Sequence, residues 1–168
     1  MEKWNLYNRK GELLDGFVYR GDPIPDGAFH LACEVFIRHA DGSFLAMIRS
    51  KKKNDYAGKY EFSAGGAAQF GESALDCIMR ECREETGLTP SHFEPIAFTR
   101  DLTHKILVQS YTAVVDCPKD AVTLQEGETD GYLWLTPEEF SEMLTTDKII
   151  DRQFLRLNSF LRKMGFIK

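Results

Sequence analysis

Residues 66–88 read Gly66-Ala-Ala-Gln-Phe-Gly-Glu72-Ser-Ala-Leu-Asp-Cys-Ile-Met-Arg80-Glu81-Cys-Arg-Glu84-Glu85-Thr-Gly87-Leu88. Between Ser73 and Thr86 there is no glycine or proline, and Gly87 is a stop signal, so the stretch predicts a helix over 73–86. On a wheel at about 100° per residue, Ala74, Leu75, Cys77, Ile78, Met79 and Cys82 share one apolar arc. That arc centres near ~50° if Ala74 is zero, and Asp76, Arg80 and Arg83 lie opposite it as a solvated face. Glu81, Glu84 and Glu85 break the division. They land near ~340°, ~280° and ~20°, a strip at the margin of the buried face.

Like charges at i, i+3 and i+4 cost a helix about 0.2–0.5 kcal/mol per pair in water, and more where water is scarce. Carboxylates near a helix C-terminus also oppose its dipole. Arg80 can pair with Glu84, but one guanidinium cannot neutralise three carboxylates. A divalent cation can, and carboxylate oxygens are the donors a hard Mg²⁺ accepts. Taken on the helix alone, a solvated, charge-rich face with no ligand stands as the alternative.

The surrounding sequence predicts an α/β (α+β) domain. Short strands are expected at 4–7 and 14–19, a hairpin at 30–38 and 43–48 joined by Ala40-Asp41-Gly42, and a short strand at 59–63 leading into Gly65-Gly66. Further strands are expected at 92–98, 106–115 and 132–135. Helices are expected from Pro137 to about 145, capped by Thr136, and over 152–164. Gly65-Gly66 reads either as a tight turn or as backbone that something must approach closely. The 168 residues predict one domain, 1–168, with residues 1–28 as a strand-hairpin extension. Strands mixed with helices, without regular βαβ alternation, imply a mixed sheet.

Composition narrows the function. A net charge of -5, from 26 acidic against 21 basic residues, argues against a nucleic-acid backbone binder. No stretch approaches the ~20 apolar residues of a membrane helix, and the first ten residues hold no signal-peptide core, so no membrane partner is expected. Cys33, Cys77, Cys82 and Cys117 form no CxxC or zinc spacing and read as buried, reduced thiols, which with the missing leader implies a cytoplasmic address.

The quoted stretch resembles the Nudix box, G-x5-E-x7-R-E-U-x-E-E-x-G-U, at Gly66, Glu72, Arg80, Glu81, Glu84, Glu85 and Gly87, with Cys82 and Leu88 in the apolar slots. At average composition, such a match arises at a given start on the order of 10⁻⁸ of the time. Membership of the Nudix superfamily implies an α/β/α sandwich with a mixed β-sheet, the box spanning 66–88. It implies a Mg²⁺-dependent hydrolase (Mn²⁺ a substitute) cleaving the diphosphate linkage of a small nucleoside diphosphate or related compound. Carried over, Glu84 and Glu85 would be metal ligands, Glu81 a ligand or general base, and the Gly66 carbonyl a further ligand. Arg80 would orient a helix carboxylate, and Glu72 would support the site.

The segments Trp4-x-Leu-Tyr, Arg20-Gly-x-x-x-Pro, Gly58-Lys-Tyr-Glu-Phe-Ser-Ala-Gly-Gly and Trp134-Leu-Thr-Pro-Glu-Glu look like the branch around isopentenyl-diphosphate isomerase. Gly65 occupies that enzyme's cysteine position and Ala67 its histidine position, and 107–111 offers no acid, so the isomerase machinery is missing. Two alternatives remain, an isomerase-like enzyme and a non-catalytic nucleotide-binding module. Arg49 and Lys53 are candidates for substrate phosphate. Glu126 or Glu128 is a candidate for an extra substrate or metal contact, the two unresolved. His30 reads as a strand histidine or a substrate or metal contact. The stripe Phe154, Leu155, Leu157, Phe160 and Leu161 reads as core or as a dimer contact, and a homodimer is expected by analogy with the family.

Overall fold

The decapeptide HLACEVFIRH forms the central strand β3 (His30–His39), with seven of its ten residues buried. Its side chains alternate between two cores, Val35 and Ile37 toward one and Phe36 toward the other. The computed structural model describes all 168 residues. β3 runs parallel to β8 (Ile106–Val115) over its whole length, from His30 opposite Ile106 to His39 opposite Val115. Its other edge pairs antiparallel with β6 (Ala64–Ala67), from Ala32 opposite Ala67 to Val35 opposite Ala64.

That second pairing corrects the expected hairpin. The turn at Gly42 forms, but β3 and β4 (Phe44–Arg49) pair only at Arg38 and Phe44, and β6 takes the Ala32–Val35 part of that edge. β4 diverges and pairs with β9 (Thr129–Leu135) and β5 (Tyr60–Glu61). The order β5-β4-β3-β8-β7 defines a mixed sheet, closed on one side by β7 (Glu94–Asp101) antiparallel to β8. The expected strand at 59–63 shortens to β5, and Gly65-Gly66 lies inside the next strand, β6, rather than in a turn.

Ser63 repairs the split. Its hydroxyl accepts from the Ile37 amide at 2.9 Å and donates to the Leu45 carbonyl at 3.1 Å, bridging the two diverging strands. The residue is fully buried and adopts a left-handed φ of 68°. Ser63→Ala leaves a buried donor and acceptor unpaired, so denaturant titration should show a loss of about 2 kcal/mol in unfolding free energy. An unchanged midpoint would show that the strands re-pair without the hydroxyl.

Helices cover both faces, giving the expected α/β/α layering. α1 (Ala74–Thr86) closes the larger core, and α2 (Pro137–Met143) and α3 (Asp151–Lys163) close the second. Ser73 caps α1 in a reciprocal box with Asp76, and Gly87 ends it at φ 71°. The apolar arc of the wheel needs correction. Leu75 and Met79 are exposed, whereas Glu85 and Thr86 are buried. Leu157 and Leu161 are core residues with Phe154 and Phe160 packed against that core, while Leu155 faces solvent, so the α3 stripe is mainly core. β1 (Lys3–Tyr7) and β2 (Leu13–Tyr19) form a separate two-stranded sheet, held through Leu6, Val18 and Ala28 and a bridge from Tyr7 to Phe29. No helix is long and apolar enough to cross a membrane. Cys33, Cys77 and Cys82 are buried free thiols, but Cys117 is only half-buried.

Candidate active site

α1 and β6 bring the box together around Arg80. Its Nε and Nη2 donate to the two oxygens of Glu72 at 2.7 and 2.9 Å, a bidentate clamp. Nη1 donates to Glu81 at 2.7 Å and to Glu84 at 3.2 Å, and Nη2 reaches the Ala67 carbonyl at 3.2 Å. The Arg80 side chain is only 16% exposed, so the solvated-face reading of the wheel is wrong here: the 67–72 loop folds over it. Glu72 also accepts from the Gln69 amide, which fixes that loop. Hydrogen bonding to Arg80 holds the Glu72 carboxyl below its usual range, and Glu72 in turn raises the guanidinium.

Glu85 stands apart from this network. It is 7% exposed, and its one hydrogen bond comes from the Gly65 amide at 3.0 Å. Burial first, and then the neighbouring Glu61 carboxylate, push its carboxyl well above the usual range. Burial likewise raises Glu81, partly offset by Arg80. Both carboxylates face a cleft of about 580 Å³ that is also lined by Glu84, Glu128, Lys53 and Arg49.

Gly66 owes its lack of a side chain to Glu81. A Cβ there would lie 2.2 Å from Glu81 Oε1, so the carboxylate packs directly over the strand. Its backbone lines the same cleft, next to Glu81 and Glu85. The donor set of carboxylates and backbone carbonyl is all oxygen, suited to a hard divalent cation. A buried carboxylate with a single hydrogen bond and acidic neighbours also calls for a cation, so the residues fit a metal. Arg80 draws Glu81 and Glu84 to itself, and no three acidic, histidine or cysteine side chains converge on one point.

The remaining candidates separate. Lys53 pairs with Glu128, and the Glu128 carbonyl accepts from the Ser50 amide, which turns this residue toward the cleft. Glu126 sits in the turn after Gln125, exposed and not among the residues lining this cleft. Arg49 donates to the Asp55 carbonyl at 2.8 Å and to Glu61 at 3.4 Å. His30 stacks on Trp4 with centroids 4.3 Å apart, and burial lowers it to about 4, so it is a neutral wall of the cleft.

Beyond Arg49, Gly65 and Gly66 the cleft continues into a chamber of about 280 Å³ bounded by α3 and the segment before β5. Tyr56, Glu61, Arg152 and Arg156 line it, and the sequence reading singled out none of them. Glu61 carried a faint signal: it precedes the buried Phe62 on an alternating strand, so its side chain had to face the other way.

The NUDIX domain family model matches residues 28–157. The chain therefore belongs to the NUDIX family, hydrolases of phosphoanhydride bonds that generally require a divalent metal. A Nudix hydrolase of Listeria monocytogenes is 28% identical over 159 residues, covering 92% of each chain. One of Listeria innocua is 35% identical over 89 residues, covering 53% of each chain, so that match spans about half the relative's length. Among solved structures, DR0079 of Deinococcus radiodurans superposes with a TM-score of 0.73 at 24% identity, covering 94% of this chain and 98% of the other. The NUDIX domain of Shewanella oneidensis NrtR, solved with ADP-ribose, gives 0.63 at 18% identity, covering 84% and 93%.

Proposed function

We propose that the chain is a Mg²⁺-dependent pyrophosphohydrolase of a small nucleoside diphosphate or related diphosphate. The observation that carries this reading is Glu85, buried among other carboxylates at the floor of an open cleft with one backbone hydrogen bond. Glu81, Glu84, Glu85 and the Gly66 carbonyl would hold Mg²⁺ or Mn²⁺. A divalent cation there supplies charge neutralisation at the diphosphate oxygens and a more acidic water.

The chain's own groups do the rest. Glu81, half-buried and hydrogen-bonded to Arg80, accepts the proton of the attacking water as general base. Arg80 keeps that carboxylate aimed while clamping Glu72. Lys53 and Arg49, at the cleft wall, receive the charge of the bound phosphates, and Glu128 holds Lys53 in place until substrate arrives. NrtR's complex with ADP-ribose supports a diphosphate-bridged nucleotide as the size of ligand this fold accommodates.

The test is a panel of nucleoside diphosphates, ADP-ribose, dinucleotide polyphosphates and prenyl diphosphates, with phosphate or nucleotide release measured with Mg²⁺ and with chelator. Turnover that vanishes on chelation is expected for at least one nucleoside compound. Tight binding with no product would overturn hydrolysis in favour of a binding module, and an allylic isomer from isopentenyl diphosphate would overturn it in favour of an isomerase.

A further inference from the structure

The chamber beside α3 holds three guanidinium groups, and two of them have a carboxylate partner in the chain. Arg156 donates from Nε and Nη2 to both oxygens of the buried Glu34, at 3.0 and 2.5 Å, and that carboxylate also accepts from Ser110 at 2.6 Å and Gln153 at 3.3 Å. This closed network ties α3 to β3 and leaves no charge to offer. Arg49 is matched by Glu61.

Arg152 differs. It makes no ion pair. Its Nε donates to the Tyr56 hydroxyl at 2.8 Å, and its guanidinium carbon lies 5.1 Å from the Tyr56 ring centroid. Asp151, the adjacent carboxylate, accepts from the Arg152 backbone amide at 2.8 Å and forms no ion pair with the guanidinium. Tyr56 adopts a left-handed φ of 57°, a costly conformation for a tyrosine, and it sets the ring where it meets Arg152. Neither Asp55 nor Asp101, the carboxylates that act on this guanidinium from nearby, forms an ion pair with it, and Asp101 is paired with His104. The result is a cation held by its Nε edge, with both Nη groups unclaimed by any carboxylate, on the wall of a cavity continuous with the hydrolytic cleft. A guanidinium so arranged is a bidentate receptor for an oxyanion.

We infer that Arg152, positioned by Tyr56, binds a second anionic group of the substrate, a phosphate or carboxylate on the part remote from the scissile diphosphate. The inference rests on the hydrolase reading for its substrate and narrows it: the preferred substrate is a nucleoside diphosphate or its conjugate bearing an additional oxyanion. The floor of the chamber fits such a role. Ala32, Ile106, Val108 and Ile150 offer apolar surface to a ring or sugar face, while Arg152 supplies its charge at the rim.

Calorimetric titration in Ca²⁺ compares matched pairs, ADP against its 2′- and 3′-phosphates and ADP-ribose against its terminal phosphate, on wild type, Arg152→Gln and Arg152→Lys. Wild type should bind at least one phosphorylated member about tenfold or more tighter than its parent, as a charged hydrogen-bond pair supplies. Arg152→Gln should erase that ratio while leaving parent affinity within about twofold, and Arg152→Lys should keep part of it. Tyr56→Phe, which frees the Nε edge, should blur the ratio without abolishing it. No preference in wild type for any pair, or equal weakening of parent and phosphorylated ligand in Arg152→Gln, overturns the inference. Parallel assays in Mg²⁺ separate the two readings. Preferential binding without turnover sinks hydrolysis and leaves the anion site standing, and turnover without preference sinks the anion site alone.

Discussion

Glu85→Gln should lower kcat by about 10³-fold or more while leaving the fold intact and, without metal, making it more stable. The two effects share one cause. Glu85 is 7% exposed beside Glu61, Glu81 and Glu128, with one backbone amide as its partner, and its carboxyl is raised well above the usual value of 4.5. A carboxyl whose folded-state pKa is raised costs the folded state free energy above its unfolded value, so this penalty is present at neutral pH and is relieved on acidification. Glutamine keeps the hydrogen bond from Gly65 and carries no charge. The metal-free variant should therefore melt no lower than wild type at pH 8, and the wild-type advantage of acidifying toward pH 5 should shrink in it. Activity moves the other way, because a Lewis acid is worth several kcal/mol at a phosphoryl centre, about three decades of rate, and Glu85 is the carboxylate least able to find another partner. Mg²⁺ should raise the melting temperature of wild type and not of the variant. Wild-type turnover in Glu85→Gln, or a metal-free variant less stable than wild type, would remove Glu85 from the site.

How legible this was depends on the range of the interactions involved. α1 could be read because its period, its Ser73 cap and its Gly87 stop are local. The misplaced carboxylates could be read because helix geometry alone sets their angles. Leu75 and Met79 escape a wheel's reading because it gives directions and not neighbours, and both stay about half exposed, at 45% and 50%. Arg80 was misassigned for the opposite reason, since the 67–72 loop covers it. The β3–β4 pairing failed on competition. Ala40-Asp41-Gly42 does turn the chain, but β6 takes the Ala32–Val35 edge of β3, and no local rule says which of two strands wins. The second chamber was out of reach altogether. Arg152 and Arg156 read as the polar side of an amphipathic helix, and only the Glu34 network shows which part of that side faces the cleft.

The adjacent glycines of β6 offer a sharper test, because the same small change should fail differently at each. In Gly66→Ala the new Cβ would stand 2.2 Å from Glu81 Oε1 and 2.4 Å from its Cδ, so the carboxylate must swing away. The far end of a flexible side chain moves cheaply, and thermal stability should stay within a few degrees of wild type. The displaced Glu81 loses its 2.7 Å bond to Arg80 and its aim at the cleft, and misplacement by about 1 Å costs on the order of 10²-fold in rate. In Gly65→Ala the Cβ would meet the Cys33 carbonyl at 2.7 Å and the Glu34 Cα at 3.1 Å, both backbone atoms of β3. That strand is bound along one edge to β8 and buried on both faces, so it cannot yield, and overpacking of this kind costs about 1–3 kcal/mol. Gly65→Ala should therefore unfold early in denaturant, and Gly66→Ala should melt normally and turn over slowly. The reverse pattern, a stable and active Gly66→Ala, would mean that Glu81 reaches the cleft by a route that does not pass over this glycine, and the general-base assignment would fall with it.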